Sequence, residues 1–130
     1  MRSRLVALTA SAVIAVFALG GCSTQARAER KGKDAGQEIC KAKSANSADE
    51  AQRHINRAND KINDLNRFTG RDVREDVRDL DNNLNQMARG NATEQDVNKI
   101  VRSVEDARAS AKGNTVAAYD GMLEALANCD

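Results

Sequence analysis

Few residues of this 130-residue chain have side chains suited to acid–base chemistry. His54 is the only histidine in the sequence, and a histidine that acts as a general base needs a nucleophile and an orienting acid. No motif around His54 supplies them, and Glu50 lies four residues before it rather than the three that a di-iron bundle requires. We therefore predict that His54 lies at the surface or at the boundary of the core, and that the chain is not an enzyme.

The acidic residues do not follow the pattern of a metal site or a phosphate site. Several alternate with arginines, as on a solvated helix face: Asp72, Glu75, Asp76 and Asp79. The chain has neither the Asp-x-Asp-x-Asp-Gly loop that binds calcium nor the Gly-x-Ser-x-Gly turn of a serine nucleophile. The sequence therefore predicts no bound metal and no cofactor.

The first of the three cysteines has the most specific sequence context. Two arginines open the chain, residues 5–19 carry no charge, and this run ends at Leu19-Gly20-Gly21-Cys22. A basic start, a short apolar run and small residues before a cleavage point are typical of a secretory signal peptide. The run is shorter than the roughly 20 apolar residues of a transmembrane helix.

Leu19-Gly20-Gly21-Cys22 resembles the lipobox of bacterial lipoproteins. The resemblance implies that residues 1–21 are a cleaved signal peptide, and that Cys22 carries a diacylglyceryl thioether and an acylated amine. It further implies an exported protein that is lipid-anchored to a bacterial membrane, on the periplasmic or cell-surface side. The rest of the sequence has no apolar run that spans a bilayer, so we expect the lipid, for example palmitate, to be the anchor.

Two cysteines, Cys40 and Cys129, remain after the anchor. An even number of cysteines in an oxidising compartment favours a disulfide bond. Two free thiols, an intermolecular bond and a metal site are the alternatives, but zinc prefers four ligands and only His54 is available to add to the thiols. We predict an intramolecular Cys40–Cys129 disulfide.

The composition favours an all-α protein. The chain has no proline and no tryptophan, and only 2% of its residues are aromatic. Absence of proline removes the strongest helix breaker, and the β-branched residues never alternate at period two. Ser47 with Glu50 and Thr93 with Asp96 have the spacing of a helix capping box.

Apolar residues recur every three or four positions in four segments, which predicts four amphipathic helices. The four stripes begin at Ile55, Val73, Val97 and Val116. Short turns between them favour an antiparallel bundle of three long helices and one shorter helix, closed by the disulfide. Residues 22–34 read as a flexible tether and residues 35–130 as the bundle domain. Because a single glycine at position 70 only weakly breaks a helix, residues 47–89 could instead form one long helix.

One polar pattern calls for an explanation. Four asparagines follow the spacing of the apolar stripe, displaced from it by one residue: Asn56, Asn59, Asn63 and Asn66. Asparagine is a poor helix former because its side chain competes for backbone hydrogen bonds. We therefore treat this asparagine ridge as the candidate contact surface, facing another helix of the bundle or another protein. If the ridge is only solvated, alanine at all four positions raises stability, and we expect that rise.

These observations favour a lipid-anchored envelope protein that acts by contact with another envelope protein and has no enzymatic activity. A formal net charge of +1 gives no reason to expect a nucleic-acid partner. A carrier of a small apolar or haem-like ligand is the first alternative, although a thin aliphatic core leaves little wall for a pocket. An inhibitor or exclusion factor displayed at the membrane is the second.

Overall fold

The computed structural model describes residues 24–129, and within this range the chain forms helices joined by short turns, without a strand. The prediction of an all-α protein is confirmed. The predicted signal peptide and Cys22 lie outside the described residues. The helices are α1 (Thr24–Lys43), α2 (Ala48–Thr69), α3 (Val73–Asp76), α4 (Leu80–Met87), α5 (Glu94–Ala109) and α6 (Asn114–Ala127).

Local sequence signals set the boundaries of the longer helices. The Ser47 side chain accepts a hydrogen bond from the Glu50 N–H at the start of α2. At the start of α5, Thr93 and Asp96 form the full capping box, because each side chain accepts from the backbone N–H of the other residue. Gly70 ends α2 with a left-handed φ of 68°, a conformation that glycine adopts without steric cost. Residues 47–89 are therefore not one continuous helix.

The segment expected to form one helix around Val73 and Leu84 is two short helices. α3 ends at Asp76, the following Val77 has an extended backbone, and Asp79 has a left-handed φ of 59° just before α4 begins. The apolar residues of the predicted stripe are all buried, on both sides of the break. The stripe thus identified the buried side chains correctly. It did not indicate the change of chain direction between α3 and α4, with which both helices bury their apolar residues. The predicted count of three long helices and one shorter helix is wrong for this reason, and because α1 is also long.

The expected flexible tether at residues 22–34 is a second correction. From Thr24 onward this segment is the first half of α1, and Ala28 and Gly32 are buried. The basic residues and the glycine that suggested a linker share the segment with small residues four positions apart. Small residues at that spacing line one side of a helix, and here that side packs against α6.

α1 and α6 are in very close contact along their length. A Cβ atom at Gly32 would overlap the carbonyl oxygen of Ala118, and one at Gly121 would overlap the carbonyl oxygen of Glu29. At Gly36 a Cβ would lie 2.7 Å from the Cβ of Ala125. Glycine is required at these positions because the two backbones approach closer than a side chain permits. Residue numbers increase together along both helices, so α1 and α6 run parallel.

The disulfide lies at the far end of this helix pair. Cys40 and Cys129 are bonded, with their Cα atoms 5.2 Å apart and a separation of 89 positions in the sequence. The bond closes the loop that contains all the other helices. The disulfide prediction thus agrees with the structure.

α6 is the most enclosed of the described helices. Its buried residues occupy more than one side, including Ala118, Tyr119, Met122 and Leu126. The predicted stripe included Tyr119 and Leu126, which are buried, but also Val116 and Leu123, which are only partly buried. A helix that packs against α1 and also contacts α5 and α2 needs a wider buried surface than one stripe provides.

Candidate functional site

The asparagine ridge of α2 faces the α3 segment and binds one arginine. Arg74 donates from Nη1 to Asn63 Oδ1 at 2.6 Å and from Nη2 to Asn59 Oδ1 at 2.9 Å. Its Nη2 also donates to the Asn59 backbone carbonyl at 3.2 Å. The guanidinium is a planar group with five N–H donors, which suits several acceptors on one helix face. Arg74 therefore joins α3 to two turns of α2.

The last asparagine of the ridge caps α3. Asn66 Oδ1 accepts a hydrogen bond of 2.9 Å from the backbone N–H of Val73, a fully buried residue. Asn56, at the other end of the ridge, is exposed and accepts only from Gln52 within α2. Three of the four amides thus pair with α3. Of the two partners that the sequence suggested for the ridge, the structure shows another helix of the same protein. These pairs supply the compensation that a row of poor helix formers requires.

Arg74 was not recognised as part of this surface from the sequence, because it belongs to a run of alternating charges. Its Nε lies 3.1 Å from a carboxylate oxygen of Asp81, so one side of the guanidinium also meets α4. The side chain is 22% exposed. The available signal was the ridge itself, since amide oxygens in line on one helix face can accept from a donor with several N–H groups.

A second polar group lies where α3 meets α6. Asp76 accepts two hydrogen bonds from Arg71, at 2.7 and 2.8 Å, and one of 3.2 Å from the Tyr119 hydroxyl. Tyr119 is fully buried, and a buried tyrosine usually finds a partner for its hydroxyl. Its place in the apolar stripe of α6 was the signal that a polar partner had to lie nearby.

The contacts of Asp76 shift two pKa values in opposite directions. The hydrogen bonds from Arg71 lower the pKa of Asp76, and the Tyr119 hydroxyl adds to this, against the effect of partial burial. Burial raises the pKa of Tyr119 well above its usual value of 10.0, and the neighbouring Asp76 charge raises it further. The folded protein therefore favours an ionised Asp76 beside a neutral Tyr119.

Next to this group is a cavity of about 450 Å³ between the α2–α3 turn and the α5–α6 turn. Its walls carry charged and hydroxyl side chains: Thr69, Arg71, Asp76, Ser110, Lys112 and Thr115, beside Ala107 and Ala111. Such walls suit water or a small polar group better than an apolar ligand.

His54 pairs with Glu38 across α1 and α2, at 2.9 Å from Nδ1 to the carboxylate oxygen. Partial burial raises the pKa of Glu38, but the hydrogen bond from His54 and the nearby Lys41 outweigh it, and the net shift is downward. The side chain of His54 is 17% exposed, so it lies at the boundary of the core, as predicted.

Two further properties of residues 24–129 bear on function. Within that range no three His, Cys, Asp or Glu side chains come together as a metal site would require. None of the helices there combines the length and the apolar character needed to cross a membrane.

Comparison of the chain with models of known protein families, with curated proteins and with solved structures finds no match.

Proposed function

We propose that this protein is a lipid-anchored bacterial envelope protein that acts by protein–protein contact and not by catalysis. The observation that carries the proposal is Leu19-Gly20-Gly21-Cys22 at the end of an uncharged run. Thr24, the first residue that the structure describes, already belongs to α1 and lies two residues after the proposed site of lipid attachment. In this proposal residues 1–21 are removed and the helical domain is held close to the membrane surface.

The proposed domain is a helical bundle in which helices that follow one another run antiparallel. The contacts between α1 and α2 support this arrangement. Glu38 and His54 meet near the turn that joins the two helices, whereas Lys31 lies 3.5 Å from Asp64 further from that turn. An ion pair between Arg108 and Asp120 connects α5 and α6 across their own short turn.

We place the contact with another envelope protein on α4 and not on the asparagine ridge, because three ridge amides are already paired. α4 carries Asn82, Asn85 and Gln86, all exposed. None of these three side chains forms a hydrogen bond with another residue between 24 and 129. Asn82 and Asn85 lower the stability of α4 relative to alanine, by a few tenths of a kcal/mol each, and a partner would compensate for that loss.

Intact-mass analysis of the protein isolated from its native envelope tests the anchor. We expect a chain that begins at Cys22 with a mass increase of diacylglycerol and one acyl chain, and Cys22→Ser to leave uncleaved precursor. An unmodified Cys22, or cleavage at another position, contradicts the proposal.

Crosslinking in the native envelope tests the contact. We expect the triple variant Asn82→Ala, Asn85→Ala, Gln86→Ala to fold with equal or higher stability and to lose its crosslinked partner. The matched control changes exposed residues of α5, Asn98→Ala and Arg102→Ala, and we expect it to keep the partner. Equal crosslinking by both variants removes α4 as the contact surface.

The cavity beside Asp76 gives no support to the alternative of a carrier for an apolar or haem-like ligand. The cavity beside Asp76 has charged walls, and Tyr119 occupies the adjoining core. Visible absorbance and mass spectrometry of the purified protein decide between carrier and contact protein, because a carrier would retain its ligand. An inhibitor displayed at the membrane would act by contact, and the crosslinking experiment would identify its target.

A further inference from the structure

Three segments meet at the end of the molecule where α1 begins. Asn114 donates a hydrogen bond of 3.0 Å from Nδ2 to the carbonyl oxygen of Phe68, which joins the start of α6 to the end of α2. α1 runs parallel to α6, and the contact of Gly32 with Ala118 places the first described turn of α1 about one helical turn beyond the start of α6. Residues 24–30, 67–72 and 108–115 therefore form one end of the protein.

This end is strongly basic. It contains two acidic residues, Glu29 and Asp72, against a larger basic set: Arg27, Arg30, Arg67, Arg71, Arg108 and Lys112. Arg71 and Arg108 have acidic partners in Asp76 and Asp120. The other four are exposed, and none forms an ion pair with any residue between 24 and 129. We name the set Arg27, Arg30, Arg67 and Lys112 the basic end.

The opposite end of the molecule has a different charge. There the disulfide, the α1–α2 turn and the α4–α5 turn come together, since a Cβ at Gly90 would lie 2.9 Å from the Cα of Ala48. In residues 40–50 and 87–96 the charges are mixed: Lys41, Lys43 and Arg89 with Asp49, Glu50, Glu94 and Asp96. The charged residues thus sum to a positive charge at the end where α1 begins but not at the opposite end.

We infer that the basic end docks on an anionic lipid surface and fixes the orientation of the domain on the membrane. The inference rests on the proposed lipid anchor, because a lipid on Cys22, two residues before Thr24, would hold this end at the bilayer. The proposed diacylglyceryl and acyl chains hold the protein at the membrane, and basic residues near an anionic surface add an attraction that acts on one end of the domain. Each contributes about fivefold to the partition constant, the equivalent of about 1 kcal/mol.

Docking predicts protection of a specific amine. The native lipidated protein is reconstituted into vesicles of phosphatidylcholine alone and into vesicles that also contain phosphatidylglycerol. Acetylation of Lys112 is then followed by peptide mass spectrometry, with the exposed Lys99 on α5 as the reference in the same molecule. We expect Lys112 to react at least about threefold more slowly on the anionic vesicles at low salt, and the difference to disappear at high salt. Lys99 should react at the same rate on both.

A matched pair of variants tests whether position or total charge matters. Arg27→Gln, Arg30→Gln and Arg67→Gln together should abolish the protection of Lys112. The control removes the same charge from exposed arginines outside the basic end, by Arg53→Gln, Arg89→Gln and Arg102→Gln, and should preserve it.

The outcomes separate this inference from the proposed anchor. Protein that carries no lipid and does not sediment with either vesicle contradicts the proposed function itself. Protein that is anchored to both vesicles, but in which Lys112 reacts equally on both, leaves the anchor standing and overturns the docking of the basic end. Protection that is equal for the two triple variants also overturns it, because charge position would then have no effect.

Discussion

At the scale of single residues, the asparagine ridge is explained by what its amides bind. Asn66 satisfies the N–H of Val73, and Asn59 with Asn63 receives the guanidinium of Arg74. A hydrogen bond to a charged group stabilises a protein more than one between neutral groups. These contacts make a fall in stability the expected result of replacing the whole ridge by alanine, opposite in sign to the expectation from helix propensity alone.

Two single substitutions within the ridge should therefore differ in sign. Asn66→Ala should lower the free energy of unfolding by about 1 kcal/mol, the usual effect of losing a helix cap, because the N–H of the buried Val73 loses its acceptor. Asn56→Ala should raise it by a few tenths of a kcal/mol, because alanine is the better helix former and only the contact with Gln52 is lost. Urea unfolding of both variants measures the difference, and equal effects would contradict a pairing role for Asn66.

Tyr119 gives a prediction about pH. Its pKa is raised in the folded protein by burial first and by Asp76 second. A group whose pKa is higher when folded contributes stability that is complete below its unfolded pKa, near 10.0, and that is lost as the pH rises further. We therefore expect the stability of the protein to fall above about pH 10, and the fall to be smaller in Tyr119→Phe.

The measurement is direct because Tyr119 is the only tyrosine and the chain has no tryptophan. The ultraviolet absorbance of the phenolate should appear well above pH 10.0 in native buffer and near pH 10.0 in denaturant. Ionisation at the same pH in both solvents would contradict the burial of the hydroxyl against Asp76.

At the scale of helices, sequence reasoning succeeded where local signals decide the structure. Ser47, Gly70 and Thr93 mark helix boundaries through their own side chains or backbone conformations, and the stripes of α2 and α5 identify the buried residues. It failed at Asp79, because a left-handed residue other than glycine depends on the packing of α3 and α4 and not on a local preference. Long-range packing of this kind leaves no period in the sequence.

The sequence contains a pattern that indicates the full length of α1, although the basic residues and glycine of its first half suggested a linker. Ala28, Gly32 and Gly36 are spaced by four, and α6 has the matching series Ala117, Gly121 and Ala125. Each series alone is uninformative. The two predict a close helix pair only when they are compared with each other, and they lie near opposite ends of the sequence. The asparagine ridge was found from the sequence because its residues lie in one segment, but its partner Arg74 was not, since an arginine in a charged run is usually solvated.

The close contact between α1 and α6 predicts the effect of adding one methyl group. Gly32→Ala should destabilise the protein by about 1 to 3 kcal/mol, because the new Cβ overlaps the Ala118 carbonyl and pushes the helices apart. This exceeds the gain of up to about 1 kcal/mol from the better helix propensity of alanine. The control is Gln37→Ala on the exposed side of α1, with an expected change within about 0.5 kcal/mol. A Gly32→Ala variant more stable than wild type by urea unfolding would show that the helices have room to separate.

At the scale of the whole molecule, the two helices in closest contact lie at opposite ends of the described chain. α1 packs mainly on α6 and α2. Along the sequence, however, the helices α2 to α5 all lie between α1 and α6. Contacts of such sequence separation require a large loop to close, which carries an entropic cost. The core is built mostly of alanine, valine, isoleucine and leucine, so a covalent link across that loop has a large share in the stability of the fold.

The disulfide prediction follows from this topology. In the chain-entropy account, a bond that closes a loop of this length stabilises the fold by about 4 to 5 kcal/mol, so reduction of Cys40–Cys129 should shift the urea midpoint of the protein strongly downward. Cys40→Ser with Cys129→Ser should have the lower midpoint from the start and show no response to reductant. Free thiols are quantified in each sample, so that a failure to reduce the bond is distinguished from a small effect. If both thiols are free and the midpoint is unchanged, the contacts between α1 and α6 alone hold the two ends of the chain together, and the bond is not needed for the fold.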